Sequence, residues 1–296
     1  MAMYRIRCSV SINIKKMVDL LQYNFFINAL LAALFTSISC GIIGTYIVSK
    51  RIVFISGGIT HTSFGGVGLG YFAGINPLIG AAIFSLLSAF GIEYMSKKIA
   101  IREDSAIAIM WSFGMALGII FIYLTPGYAP NLMSYLFGSI LTVSTGEIVL
   151  TGILAILILA FFIIFYKIIL FIAFDQEFSH TRNIPVGFFN YLIMALIALT
   201  IVLSIKVAGI ILILSLLTIP QAIANLFVTD FKKIAIWSVF IGFSGAMGGL
   251  MGSWYLDIPS GASIIFTLVI LFLIFRTYKS LFLKSKQSKS NPASQI

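Results

Sequence analysis

The chain has 296 residues, 60% of them hydrophobic and only 9% charged, with a mean hydropathy of +1.10 and a formal net charge of +10. A soluble domain carries about 25% charged residues, so a water-facing fold would leave far more apolar surface than its polar side chains could cover, and the bilayer must be the solvent. The positive charge has no basic soluble domain to sit on, which argues against a nucleic-acid partner and assigns the lysines and arginines to the flanks of membrane spans.

In chain order, a basic N-terminal segment (1–24, with Arg5, Arg7, Lys15 and Lys16) precedes an apolar run from Asn24 to Ser49. That run is too long for the core of a signal peptide and reads as a first, uncleaved span. At roughly 20 apolar residues per crossing, the sequence predicts spans near 25–48, 54–74, 77–95, 105–124, 147–170, 187–205, 207–228, 234–255 and 261–278. The fold class is therefore all-α, a polytopic bundle of eight or nine transmembrane helices filling 25–283, followed by a polar cytoplasmic tail at 284–296 that reads as disordered. Residues 125–146 carry Pro126, Gly127 and Pro130 and read as a loop with a short re-entrant helix. With the N-terminus outside, 14 of the 19 basic residues fall on the cytoplasmic side, as the positive-inside rule requires. Glycine is frequent inside spans, which signals close helix packing. Residues 65–77 and 248–259 are faintly alike, both ending a span and leading into a proline-started helix.

Few residues can carry chemistry. His61 lies ten residues above Arg51, about 15 Å into the bilayer at 1.5 Å per residue. An ionisable group at that depth faces a cavity, a partner or a substrate path, and imidazole ligates zinc, manganese and iron alike. The competing reading is a histidine that hydrogen-bonds two helices together. Thr60, Thr62 and Ser63 can either bond the backbone or line a polar path. In segment 173–186, the one conspicuously polar interior loop, Asp175 suits an N-cap, Asn183 a left-handed stop and Pro185 the first turn of the next span. This segment reads either as a short surface helix that docks a cytoplasmic partner through Phe178 or as a solvated linker. Asp257 and Glu147 sit at outer helix ends, Asp257 as a cap for the ninth span, and Glu93 pairs with Lys97 one turn away. Cys8 and Cys40 have no metal-ligand spacing. No phosphate-cradling loop, nucleophile elbow, H-E-x-x-H or paired carboxylate is present, so the chain does not read as an enzyme, and any ATP hydrolysis must come from another subunit.

The stretches GTYIVSKRIVFISGGITHTSFGGVGLGYFAGINP (44–77), LMSYLFGSIL (132–141), FDQEFSHTRNIPV (174–186), KVAGIILILSLLTIPQAIANLF (206–227) and DIPSGASI (257–264) resemble, in order, the permease subunits of bacterial zinc-, manganese- or iron-type ABC importers. The resemblance implies an ABC importer permease bundle in the bacterial cytoplasmic (inner) membrane and a homodimer around one path. It further implies a cytoplasmic ATP-binding subunit, an extracytoplasmic metal-binding protein, and a transported divalent metal ion with no permanently bound cofactor. It places His61 in the metal path, together with Asp257, which matches the aspartate of the family's D-x-P-x-G stretch and whose role there can also be purely structural. Asp175, Gln176, Glu177, Phe178, Arg182 and Asn183 fall in the ATPase-coupling loop. Family members often carry an aspartate four residues before the histidine; here that position is Gly57, so a His-plus-Asp site does not transfer. The alternatives are a permease for a metal chelate, a stand-alone ion-coupled carrier, which would need further intramembrane acids or bases, and a membrane scaffold, which would need neither His61 nor segment 174–186.

Overall fold

The computed structural model describes residues 23–126, 138 and 140–290. The described chain is helical, with α1 (Asn24–Ser49), α2 (Val53–Phe72), α3 (Pro77–Lys97), α4 (Glu103–Leu124), a 3₁₀ turn at Ile140–Thr142, α5 (Thr145–Ile164) and α6 (Tyr166–Phe174). There follow α7 (Gln176–Thr181), α8 (Val186–Ala208), α9 (Ile210–Leu216), α10 (Ile219–Asn225), α11 (Phe231–Leu256) and α12 (Ser260–Ser290). Seven of these, α1, α3, α4, α5, α8, α11 and α12, hold segments long and apolar enough to cross a membrane. Local chemistry sets their starts. The Asn76 side chain accepts from the Leu78 amide at 3.0 Å ahead of Pro77. Ser144 and Glu147 form a reciprocal capping box, and Asp230 accepts from the Lys233 amide at 3.0 Å. Each satisfies amides that a helix start leaves without partners.

The two other expected crossings depart from simple apolar rods, for opposite reasons. Helix α2 is rich in Gly, Ser and Thr, and it is buried along nearly its whole length between α3 and α4. Its polarity meets protein and not lipid. A Cβ on Gly66 would fall onto the Gly80 carbonyl of α3, and Cβ atoms on Gly65 and Gly68 would lie 2.6 Å from the carbonyl oxygens of Gly114 and Gly118 in α4. In lipid, where apolar side chains gain little by leaving the solvent, such backbone approach is what joins helices. The expected crossing at 207–228 is broken instead. Gly209, with φ +78°, separates α8 from α9, and Thr218 with Pro220 separates α9 from α10. The broken backbone is buried, Leu217 and Gln221 both being inaccessible, as non-helical backbone at membrane depth must be. The Gln221 amide donates to the carbonyls of Cys40 in α1 (2.9 Å) and Leu216 (3.2 Å), tying the break to the first helix.

The core gathers around α1 and α8, where Ile43, Tyr46, Ile47, Ile193 and Ile197 are fully enclosed. Side chains such as Ile156, Ile163 and Ile164 of α5 and Phe266 and Leu273 of α12 stand exposed, a surface that hydrocarbon suits. The α11–α12 hairpin repeats the device of α2–α3: a Cβ on Gly249 would fall onto Ile264, and Ser263 donates to the Gly249 carbonyl at 2.7 Å. The two stretches that look alike in sequence thus build the same kind of joint.

Several end details differ from expectation. Asp257 takes the left-handed conformation (φ 53°) that terminates α11 and does not cap the last span. Pro185 is the N-cap of α8, one position before its first turn. Helix α12 continues to Ser290, so the start of the polar tail prolongs the last helix, its Lys, Gln and Leu residues being good helix formers. The N-terminal segment through residue 22, the bulk of the expected re-entrant stretch and residues 291–296 lie outside the described residues.

Candidate functional site

Helix α2 carries His61 eight residues beyond its start at Val53, half-buried. The imidazole lies flat on the indole of Trp111 from α4, with ring centroids 4.2 Å apart and planes within 8°. The neighbouring hydroxyls are all committed to backbone. Thr60 donates to the Ser56 carbonyl, Ser63 to that of Thr60 at 2.5 Å, and Thr62 to Gly58 at 2.7 Å and, across the helix boundary, to Met110 at 3.0 Å. Of the two readings open for these hydroxyls, the structure selects the backbone one. These hydroxyls are also fully buried, whereas His61 is half-buried, with its contact to a ring face and its nitrogens on the ring edge. Gly57, one turn earlier, faces the same indole: a Cβ there would meet Trp111 Cζ3 at 3.4 Å and Leu214 Cδ2 of α9 at 4.0 Å. Among the described residues, no three His, Cys, Asp or Glu side chains gather to hold a metal ion.

A second polar region lies where α1 and α3 end and α4 begins. Glu93, buried in α3, accepts from the Asn190 side chain of α8 at 3.1 Å. This replaces the expected pairing with Lys97, which reaches Gln176 at 3.3 Å. The helix register offers Glu93 and Lys97 to each other, but burial sets the stronger demand, and the enclosed carboxylate takes the partner that comes with the covering helix. Lys50, just past α1, donates to the Tyr46 hydroxyl at 3.3 Å. Burial draws its ammonium below the ordinary lysine range; Glu93 and Glu103 oppose that shift and Lys97 adds to it.

The segment after α6 is a compact turn. Asp175 caps α7 by accepting from the Phe178 amide at 2.8 Å. Ser179, buried, returns its hydroxyl to the Asp175 carbonyl at 2.8 Å, and Asn183 (φ 54°) makes the left-handed stop. The partly exposed Phe178 ring packs edge-on against Phe171, with the Arg182 guanidinium carbon 5.3 Å from its centroid. Glu177 is exposed beside it. Asp257 is exposed at the far end of α11.

Residues 22–279 match the ABC 3 transport family. The chain belongs to this family. An uncharacterized membrane protein of Synechocystis sp. is 42% identical over 266 residues, covering 90% of this chain and 95% of that one. The manganese transport system membrane protein MntC of Listeria innocua is 33% identical over 255 residues, covering 86% and 91%. The solved structure of PsaBC from Streptococcus pneumoniae in complex with a Fab superposes with a TM-score of 0.78 at 33% identity, covering 88% of this chain and 95% of that one. With seven apolar crossing helices among its described residues, this ABC 3 chain is a multi-pass bacterial membrane protein, a transport permease and not itself a catalyst. The sequence singles out His61 and the 175–183 turn as candidates and does not announce which contacts Trp111, Asn190 and Gln221 make. The last two carried a readable signal, since an amide inside an apolar span demands a partner. Trp111 carried none, because an aromatic in a spanning helix is ordinarily packing.

Proposed function

We propose that the chain is the permease half of an ATP-driven importer of a divalent metal ion, manganese or zinc, and that His61 touches the ion in transit. The observation that carries this reading is His61 itself: a half-buried imidazole on a helix packed between two apolar crossing helices, with every neighbouring hydroxyl already bonded to backbone, in a family whose relatives include a manganese transport protein. One imidazole per chain holds a cation weakly, which suits passage better than storage. A second copy of the chain would bring a second imidazole to a shared axis and replace part of the ion's water shell. An extracytoplasmic binding protein would deliver the metal and carry most of the discrimination. A cytoplasmic ATPase would dock on the turn around Phe178, whose cap, left-handed stop and ring contacts present a fixed shape to a partner. The lysine-to-glutamine bond from Lys97 to Gln176 joins that turn to α3, the neighbour of the histidine helix.

The test is radioactive manganese and zinc uptake in cells expressing the complete transporter, with permease abundance measured in the same membranes. His61→Ala should reduce uptake strongly at equal abundance, and His61→Gln should keep a little, because an amide oxygen still coordinates. Wild-type uptake by His61→Ala would reduce this histidine to a packing residue and remove the reading.

A further inference from the structure

We propose that Trp111 is the positioning residue of the cation site: its indole occupies the space a longer side chain at position 57 would need and fixes the plane of the His61 ring, so that the ion meets an imidazole backed by an aromatic face and no carboxylate. The inference rests on the reading of His61 given above.

Three features support it. The stack is close and nearly parallel, at 4.2 Å and 8°, which leaves the ring edge, and so the nitrogens, as the part of the imidazole able to bond. The indole cannot drift, because α4 is clamped to α2 on both sides of it. Before Trp111, a Cβ on Gly58 would lie 2.6 Å from Ile107, and Thr62 bonds the Met110 carbonyl at 3.0 Å. After it, a Cβ on Gly114 would lie 2.5 Å from the Thr62 backbone. Third, the room for the ring comes from Gly57. A bare Cβ there would already touch Trp111 at 3.4 Å and Leu214 of α9 at 4.0 Å, so an aspartate side chain would share this face with the indole. Gly57 and Trp111 are thus a matched pair. An aromatic face attracts a cation through its quadrupole, far less than a full negative charge does, so this pair makes a site that releases its ion easily and leaves ligand chemistry to the imidazole.

The sequence contains three tryptophans, Trp111, Trp237 and Trp254, and the last two are exposed. Replacing them (Trp237→Phe, Trp254→Phe) makes Trp111 the sole indole reporter in the full-length permease purified in detergent. Manganese chloride should quench its fluorescence through the paramagnetic ion held at the stacked imidazole. Magnesium chloride, an oxygen-preferring diamagnetic control, should not, and His61→Ala should abolish the manganese effect. In cells, Trp111→Ala should lower manganese uptake roughly two- to tenfold, the scale of one aromatic stack, while Trp111→Phe keeps most of it. Gly57→Asp should impair uptake alone and regain it when combined with Trp111→Ala. Manganese that leaves Trp111 fluorescence unchanged, or full uptake by both Trp111→Ala and Gly57→Asp at equal abundance, overturns the assignment. If His61→Ala alone stops uptake while Trp111→Ala does not, only this inference fails; if His61→Ala transports normally, the reading beneath it fails as well.

Discussion

The surroundings of His61 and the turn at 175–183 are both well determined, by opposite means. Around His61 the helices are joined by leaving atoms out: glycines at 58, 65, 66, 68, 114 and 118 bring backbone against backbone or side chain. At the turn, shape comes from adding polar atoms: an Asp175 cap, a Ser179 back-bond and a Thr181 bond to the Phe178 carbonyl at 2.8 Å. The difference follows the solvent. Within the bilayer an added side-chain dipole must find an internal partner, while close packing gains dispersion contact at no such cost. At the aqueous face a cap offsets the amides a short helix leaves open. The surroundings of His61 are therefore set mainly by close backbone packing, with hydroxyls bonded back to the backbone, and the turn by local side-chain caps.

The sharpest way to break the contrast is to put atoms back. Gly66→Leu drives a side chain into the Gly80 carbonyl and should exceed the about 1–3 kcal/mol common for overpacking, so little monodisperse protein should survive size-exclusion chromatography. Normal yield and melting temperature would show that α2 and α3 are looser than the contacts imply. Next comes a place where a buried side-chain amide holds a broken crossing to the first helix. Gln221→Leu removes the bond to the Cys40 carbonyl and should cost about 0.5–1.5 kcal/mol, seen as a lower melting temperature in detergent; an unshifted transition would make the α1–α10 bond dispensable. At the turn, Asp175→Ala should cost about 1 kcal/mol and weaken stimulation of the ATPase, with Asp175→Asn retaining both. Full stimulation by the alanine variant would separate this turn from coupling. The smallest effect belongs to Gly57→Ala. Its Cβ would make an ordinary contact with Trp111 at 3.4 Å, and alanine gains up to about 1 kcal/mol over glycine in a helix, so stability should stay at or slightly above wild type and uptake near it. A large loss would mean that position 57 tolerates no side chain at all.

Much of the frame is legible in the residues because the bilayer imposes one length and one polarity on every crossing. Seven of the nine expected spans follow directly from that. The other two show what hydropathy leaves out. It measures how a segment meets lipid, whereas α2 meets protein, and the crossing at 207–228 is divided by Thr218 and Pro220 and held by Gln221. His61 stood out because an ionisable side chain at mid-depth has few innocent reasons to be there. Asp175 and Asn183 stood out because capping is local, decided within four residues. Glu93 was misassigned for the complementary reason. Its partner comes from another helix, and no local spacing announces it. The pairing of Trp111 with His61 depends on how α4 is rotated against α2, which glycines fix through contacts in three dimensions.

The bond between Glu93 and Asn190 spans 97 residues of sequence, and this has a consequence during synthesis. A ribosome adding about 5–20 residues per second delivers the amide roughly 5–20 s after the carboxylate. For that interval the third helix carries a glutamate whose final cover does not yet exist. The carboxylate must wait at the aqueous boundary or be sheltered by the insertion machinery. The glycine-joined hairpins among α2, α3 and α4 need only neighbouring segments and can close at once, so the order of assembly is written into the chain: the α2–α3–α4 frame first, and the Glu93–Asn190 bond when α8 arrives.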